Sequence, residues 1–363
     1  MLKMDRRLLQ NVDWPLLGAA FFIIALSLVC LWSLSPGRGI SVLMWRQLSW
    51  VGVGLVGLLV VVSVDYRNLV RFAPVFYVVG VGLLLAVFVL GRTVSGARRW
   101  IHVGPFTVQP SELFKLIFII TLAWALTSGR GERLTRGALV GTALLLGIPF
   151  FLVVRQPDLG TALVLVPVLA ATLVGLGLRM KVLGGLAMAS VALMPLAWFV
   201  LKPYQRDRLL VYLDPFRDPL GTAYNVIQAK IAIGSGQLLG KGIGGATQSR
   251  LAFLPERHTD FIFAVFAEMW GFLGCLVLIV AYAFLVLRGF EIAAGTRETR
   301  GRILALGVTS VFAVQILVNI GMVTGLLPIV GIPLPFMSYG GSSMVVSLTA
   351  LGLLLSIRMR QFH

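Results

Sequence analysis

Asp260 ends the string Leu254-Pro255-Glu256-Arg257-His258-Thr259-Asp260 and leads straight into an apolar run that opens Phe261-Ile262-Phe263-Ala264. A carboxylate in that place has two readings. As a helix N-cap it accepts backbone N–H bonds at the positive end of the helix dipole, which favours the ionised form and makes a poor proton acceptor. Facing a cavity instead, it can take a proton from a sugar hydroxyl, and Glu256, Arg257 and His258 supply nearby charge to tune such a base. Position along the chain favours neither.

Glu112 and Lys115 stand at i and i+3 just after Gln109-Pro110-Ser111, at the start of another apolar run. A glutamate in the first turn suits the helix dipole. A lysine there does not, and inside an apolar span it is expensive unless paired or snorkelling. A salt bridge is expected, either purely structural or part of a site. Asp158, in Arg155-Gln156-Pro157-Asp158-Leu159-Gly160-Thr161, opens a further run, where an N-cap is the default. Trp100 follows Arg98-Arg99 and reads as an aromatic-belt anchor whose basic neighbours meet lipid phosphate.

Other chemistries lack their residues. There is no HExxH, no CxxC pair and no Walker A; the run Gly240-Lys241-Gly242-Ile243-Gly244-Gly245 lacks the closing Lys-Ser/Thr and follows no βα unit. His102, His258 and His363 are too few and too dispersed for a histidine metal site. Cys30 and Cys275 lie inside apolar runs without ligand spacing and read as small buried hydrophobes.

The elements that must position these groups are membrane spans. Of 363 residues, 58% are hydrophobic and 12% charged, against roughly 45–50% and 25% in soluble domains, and the mean hydropathy is +0.94. The chain reads as an all-α polytopic membrane protein, residues 1–363 forming a single integral membrane domain. Ten spans are expected near 14–34, 47–63, 70–90, 112–127, 137–153, 159–177, 182–201, 261–287, 303–324 and 341–357. The first lacks a small-residue cleavage site and is read as retained. Gly52, Gly54 and Gly57 in the second span read as packing positions.

The net charge of +17 reflects loops between spans, not a nucleic-acid footprint. With the N-terminus inside, alternate segments hold 16 of the 31 Lys and Arg, the short outside loops 6, and segment 202–260 another 8. Both termini are therefore expected in the cytoplasm. The long outer loop 202–260 carries eight basic and five acidic residues, and apolar spacing within 222–234 predicts a helix lying in the interface, beside lipid headgroups. The stretch 327–343, with Pro328, Pro333 and Pro335, cannot be a continuous helix and reads as a tight outer loop or a re-entrant piece.

The strings QPSELFK (109–115), QPDLGTA (156–162), KIAIGSGQLLGKG (230–242), LPERHTDFIFAVFAE (254–268) and NIGMVTGLLPIVGIPLPFMSYGGSS (319–343), in this order among ten spans, resemble the shape, elongation, division and sporulation (SEDS) family over essentially the whole chain. ERHTDFIF with LPIVGIPLPF is more similar to its elongation member than to its division member. The resemblance implies polymerisation of peptidoglycan glycan strands from lipid II at the outer face of the cytoplasmic membrane during cell elongation, beside a class B penicillin-binding protein that cross-links them. It also implies that Asp260 is the family's essential aspartate, that Glu112 and Lys115 are its paired cavity residues, and that Asp158 and Trp100 lie toward the cavity. Met269 stands where members often carry a second acid, and Ala252 where a polar residue is common; neither touches the proposed base.

The residues suit that chemistry. A single inverting displacement on an α-linked glycosyl pyrophosphate needs one base, a positioned acceptor hydroxyl and charge to stabilise the departing pyrophosphate. Asp260 is assigned as the base, and Lys115 or the loop residues Arg206, Arg208 and Arg257, beside His258, as the groups around the pyrophosphate, with or without a divalent cation (Mg or Mn); no cofactor is encoded. Two rivals are a lipid II flippase or transporter and a non-catalytic scaffold for the penicillin-binding protein. Transporters place ionisable groups near the midplane on broken helices, whereas here they cluster at outer span ends.

Overall fold

Asp13 starts the first helix: its carboxylate accepts the Leu16 N–H at 3.1 Å and Pro15 occupies the first turn, giving α1 over Trp14–Ser33. α2 (Val42–Ser63) is followed by the short α3 (Tyr66–Arg71), whose cap Asp65 accepts the Arg67 N–H at 2.8 Å, and by α4 (Ala73–Leu90). In this computed structural model the described residues are 10–34, 42–94, 97–103, 106–128, 136–182, 184–185, 188, 203–214, 223–245 and 257–361. The expected span at 182–201 lies almost wholly outside them.

Between α4 and the next span the chain forms a three-stranded antiparallel sheet, β1 (Arg92–Val94), β2 (Ala97–Val103) and β3 (Phe106–Val108), with Arg92 opposite Trp100 and Ile101 opposite Val108. Span reading does not find this sheet, because its strands are short and sit in a polar outer connection. Then come α5 (Pro110–Thr127), α6 (Arg136–Arg155), α7 (Leu159–Gly175), α8 (Pro203–Leu213), α9 (Tyr224–Ser235), α10 (Ile262–Gly295), α11 (Thr299–Thr324) and α12 (Gly341–Met359). Among the described residues seven helices are long and apolar enough to cross a membrane, and two shorter apolar helices fall at α6 and α7. α9 is the helix that the apolar spacing within 222–234 predicts.

Among the described spans α12 is the most buried, with α5 and α11 next. A Cβ placed at Gly54 of α2 would lie 2.5 Å from Leu348 Cδ1, and one at Gly57 2.7 Å from Thr349 Oγ1, both on α12. In lipid, where burying an apolar side chain against a helix gains little over burying it in acyl chains, this close approach is what holds the pair. Gly52 differs from expectation: it faces open space and serves no packing.

One end of the bundle is cross-linked by charge. Arg288 bridges Asp13 at 2.8 Å and Glu291 at 2.6 Å. Glu298 accepts from Tyr66 Oη at 2.9 Å and Arg67 Nε at 2.7 Å. Burial, with Glu298 beside it, pushes the Tyr66 phenol up to about 12. The start of α1 and the finish of α12 meet at this end, through Arg288 near Asp13 and Gln361 Nε2 donating to the Ile292 carbonyl at 3.0 Å. The sheet and the irregular segment 325–340 occupy the opposite end.

Candidate active site

Asp260 sits in the turn that enters α10, one residue before Phe261, which takes the N-cap position. Three successive carbonyls of the turn are held: Tyr339 N–H donates to His258 O at 2.8 Å, Ser338 Oγ to Thr259 O at 2.8 Å and Asn319 Nδ2 to Asp260 O at 2.9 Å. The half-buried Asp260 carboxylate lies over Gly331, where a built Cβ would come within 3.2 Å of Oδ2.

The segment 325–340 is irregular, as its prolines require, and every part of it is anchored. Ser338 Oγ also accepts the Leu334 N–H at 2.8 Å. Gln47, fully buried on α2, donates to Ser338 O at 3.2 Å and accepts from the Gly340 N–H at 3.4 Å. Gly331 turns the chain at a φ of 68°, in the left-handed region that a side chain resists. Segment 325–340 thus forms a packed wall at this end of the bundle, in which many backbone groups that lipid could not satisfy are bonded internally.

Asp158 does cap α7, accepting the Thr161 N–H at 3.4 Å, and its Oδ2 accepts from Gln109 Nε2 and Ser111 Oγ, each at 2.8 Å. Arg99 of β2 approaches Oδ1 at 3.9 Å and donates to the Pro157 carbonyl. Asp158 is 1% exposed, so it cross-links α5, α7 and the sheet and is not presented to an open cavity. Two residues on, a Cβ at Gly160 would lie 2.6 Å from the Val330 carbonyl oxygen. The Asp158 and Asp260 elements therefore border one strip of chain, Val330–Ile332, from different sides.

The expected salt bridge is present: Lys115 Nζ lies 2.8 Å from both carboxylate oxygens of Glu112, with the two side chains 1% and 3% exposed. A buried ammonium already held by two oxygens is not an open phosphate clamp. Trp100 is half-buried on β2. Arg257, His258 and Arg206 are half-buried at the same outer end. His258 packs its ring edge-on to Tyr339 at 5.5 Å, and burial pushes the Arg257 guanidinium below its ordinary value. The Arg208 side chain and Glu256 lie outside the described residues.

Several positioning groups escaped the reading of the sequence. Asn319 and Gln47 are buried amides in apolar spans, a pattern that signals interhelical hydrogen bonding. Glu268 is fully buried and meets Lys241 Nζ at 3.1 Å. Nearby α10 is broken at Gly271 (φ 63°, ψ −163°), and the loop after α9 fills the break: Phe272 N–H donates to Gln237 O at 2.8 Å and Leu273 N–H to Leu238 O at 3.1 Å. Among the described residues, no three His, Cys, Asp or Glu side chains converge as a metal site would require.

A helical membrane bundle with a clamped acid at one end narrows the class, and the comparisons define it. Residues 10–363 match the cell cycle protein family model that spans FtsW, RodA and SpoVE. The chain belongs to this family. It is 39% identical over 348 residues to peptidoglycan glycosyltransferase MrdB of Escherichia coli K12, covering 96% of this chain and 93% of the relative. Stage V sporulation protein E of Bacillus subtilis is 37% identical over 317 residues, 86% of each. Among solved structures, the rod shape determining protein RodA of Thermus thermophilus superposes with a TM-score of 0.74 at 32% identity, covering 97% of this chain and 98% of that one. A chain from a study of structural coordination of polymerization and crosslinking by a peptidoglycan synthase complex superposes with a TM-score of 0.82 at 33% identity, covering 97% and 99%.

Proposed function

We propose that the chain is a peptidoglycan glycosyltransferase that polymerises lipid II into β-1,4-linked glycan strands, with Asp260 as general base. The acceptor 4-hydroxyl oxygen attacks the anomeric carbon of the donor, the bond from that carbon to pyrophosphate breaks, and the hydroxyl proton passes to Asp260. One inverting step suffices, because pyrophosphate departs without an acid's help. The observation that carries the assignment is that Asp260 stands one residue ahead of the α10 cap position, in a turn whose carbonyls are held, with its half-buried carboxylate over Gly331.

Arg257, three residues before the base, and Arg206 are assigned to the pyrophosphate. The Glu112–Lys115 pair is assigned to holding the shape of α5 beneath the site. A divalent cation, where used, would accompany the pyrophosphate and offset its charge. The site is assigned to the outer face of the cytoplasmic membrane, with both termini inside. Arg67, Arg71, Arg288, Arg297, Arg300, Arg302, Arg358 and Arg360 gather at or beside the opposite end, which supports that orientation. A class B penicillin-binding protein is assigned as the cross-linking partner.

A lipid transporter is the competing reading, and the break at Gly271 beside buried Glu268 is the feature that favours it. The amides freed there are occupied by Gln237 and Leu238, so the break lines no open path. Polymerisation of lipid II by the purified chain, with Asp260→Asn alongside and translocation measured in the same vesicles, separates the two. Loss of polymer in the variant is expected; wild-type polymerisation by Asp260→Asn would refute the base.

A further inference from the structure

We infer that Asn319 is the positioning residue for Asp260, setting both the backbone that carries the carboxylate and the wall beneath it. This rests on the reading of Asp260 as the base. Asn319 lies near the end of α11 and is 0% exposed. Its Nδ2 donates to Asp260 O at 2.9 Å and to Ile332 O at 2.7 Å. Both acceptors are main-chain carbonyls, so the amide nitrogen, not its oxygen, must face them.

Those two bonds reach two separate pieces of chain. One fixes the residue that bears the carboxylate; the other fixes the neighbour of Gly331, the residue on which that carboxylate rests. Two further bonds to the turn come from Tyr339 and Ser338, which belong to segment 325–340 itself. Asn319 enters from a rigid spanning helix and ties the turn and the segment to one fixed point. Residues on regular elements hold a reacting group more closely than loops can hold one another.

The other half of the amide sharpens the inference. Asn319 Oδ1 is buried and has no hydrogen-bond partner. A buried acceptor left unmatched costs free energy. The asparagine is explained by what its nitrogen does: it donates to two main-chain carbonyls that an apolar side chain would leave without that donor.

The test uses the purified full chain and lipid II as the probe, comparing Asn319→Leu, Asn319→Ala and Asn319→Asp with wild type and with Asp260→Asn. Because a misplacement of about 1 Å is worth about 100-fold in rate, kcat is expected to fall about 10- to 100-fold in all three Asn319 variants. KM is expected to stay within about twofold, since Asn319 does not reach substrate. Asn319→Leu takes the donor from the Asp260 and Ile332 carbonyls and is expected to unfold at a lower temperature while staying folded under assay conditions, so the fall in kcat at unchanged KM is the readout that a merely structural role would not give. If Asn319→Leu does not insert, Asn319→Ala removes the same two bonds without added bulk and carries the same expectation. A folded Leu or Ala variant with wild-type kcat overturns the inference, as does a raised KM at unchanged kcat. Full activity of Asp260→Asn would overturn the base assignment itself; an inactive Asp260→Asn beside unimpaired Asn319 variants overturns only the role of Asn319.

Discussion

Gly331→Ala tests whether the carboxylate acts from the place the fold gives it. The added Cβ would lie 3.2 Å from Asp260 Oδ2, closer than carbon and oxygen ordinarily pack, so the carboxylate must withdraw by a few tenths of an ångström. Holding alanine at a φ of 68° adds about 1–2 kcal/mol of strain. That lowers stability without unfolding a bundle of this size. If a misplacement of about 1 Å is worth about 100-fold, the smaller shift predicts a fall of about 3- to 10-fold in kcat, or about 0.7–1.4 kcal/mol of barrier. Initial rates of glycan polymerisation by the purified protein, read beside its thermal unfolding, give both numbers. A stable Gly331→Ala protein polymerising at the wild-type rate would show that Asp260 does not work from above Gly331.

Two further outcomes follow from the buried charges. Lys115→Met strands the Glu112 carboxylate in the bundle and is expected to cost about 3–5 kcal/mol, most of it recovered in Glu112→Gln/Lys115→Met; a double variant no more stable than the single would mean the pair is not a unit. Asp158→Ala removes a cap worth about 1 kcal/mol and two carboxylate hydrogen bonds worth about 1.5–3 kcal/mol each at most. A marked drop in unfolding temperature is expected, and an unchanged one would refute its role as cross-link between α5 and α7.

Most spans were legible because an apolar run long enough to cross a bilayer has few other uses, and their observed limits fall within a few residues of the reading. Exceptions have local causes. The run read as 261–287 continues as helix to Gly295, past Arg288 and Glu291, whose i, i+3 pairing suits a helix, and it is broken at Gly271 by a loop distant in sequence. The run read from 70 starts instead at Ala73, because Asp65 caps the separate short helix α3. The Glu112–Lys115 bridge was legible from i, i+3 spacing, which puts the two side chains on one face of a helix whatever surrounds it.

The amino-acid sequence by itself determined the membrane class, the order of spans, the irregular outer segment and the identity of the acid at 260. Apolar length, proline and charge act locally, so their consequences can be read locally. What surrounds that acid was decided only by tertiary structure. The answer depends on Phe261 taking the cap position, on Gly331 passing beneath the carboxylate and on Asn319 reaching across from α11. These are contacts between residues far apart along the chain, and no periodicity encodes them. The same holds for Asp158, whose cap was expected but whose bonds to Gln109 and Ser111 exist only because α5 and α7 pack side by side.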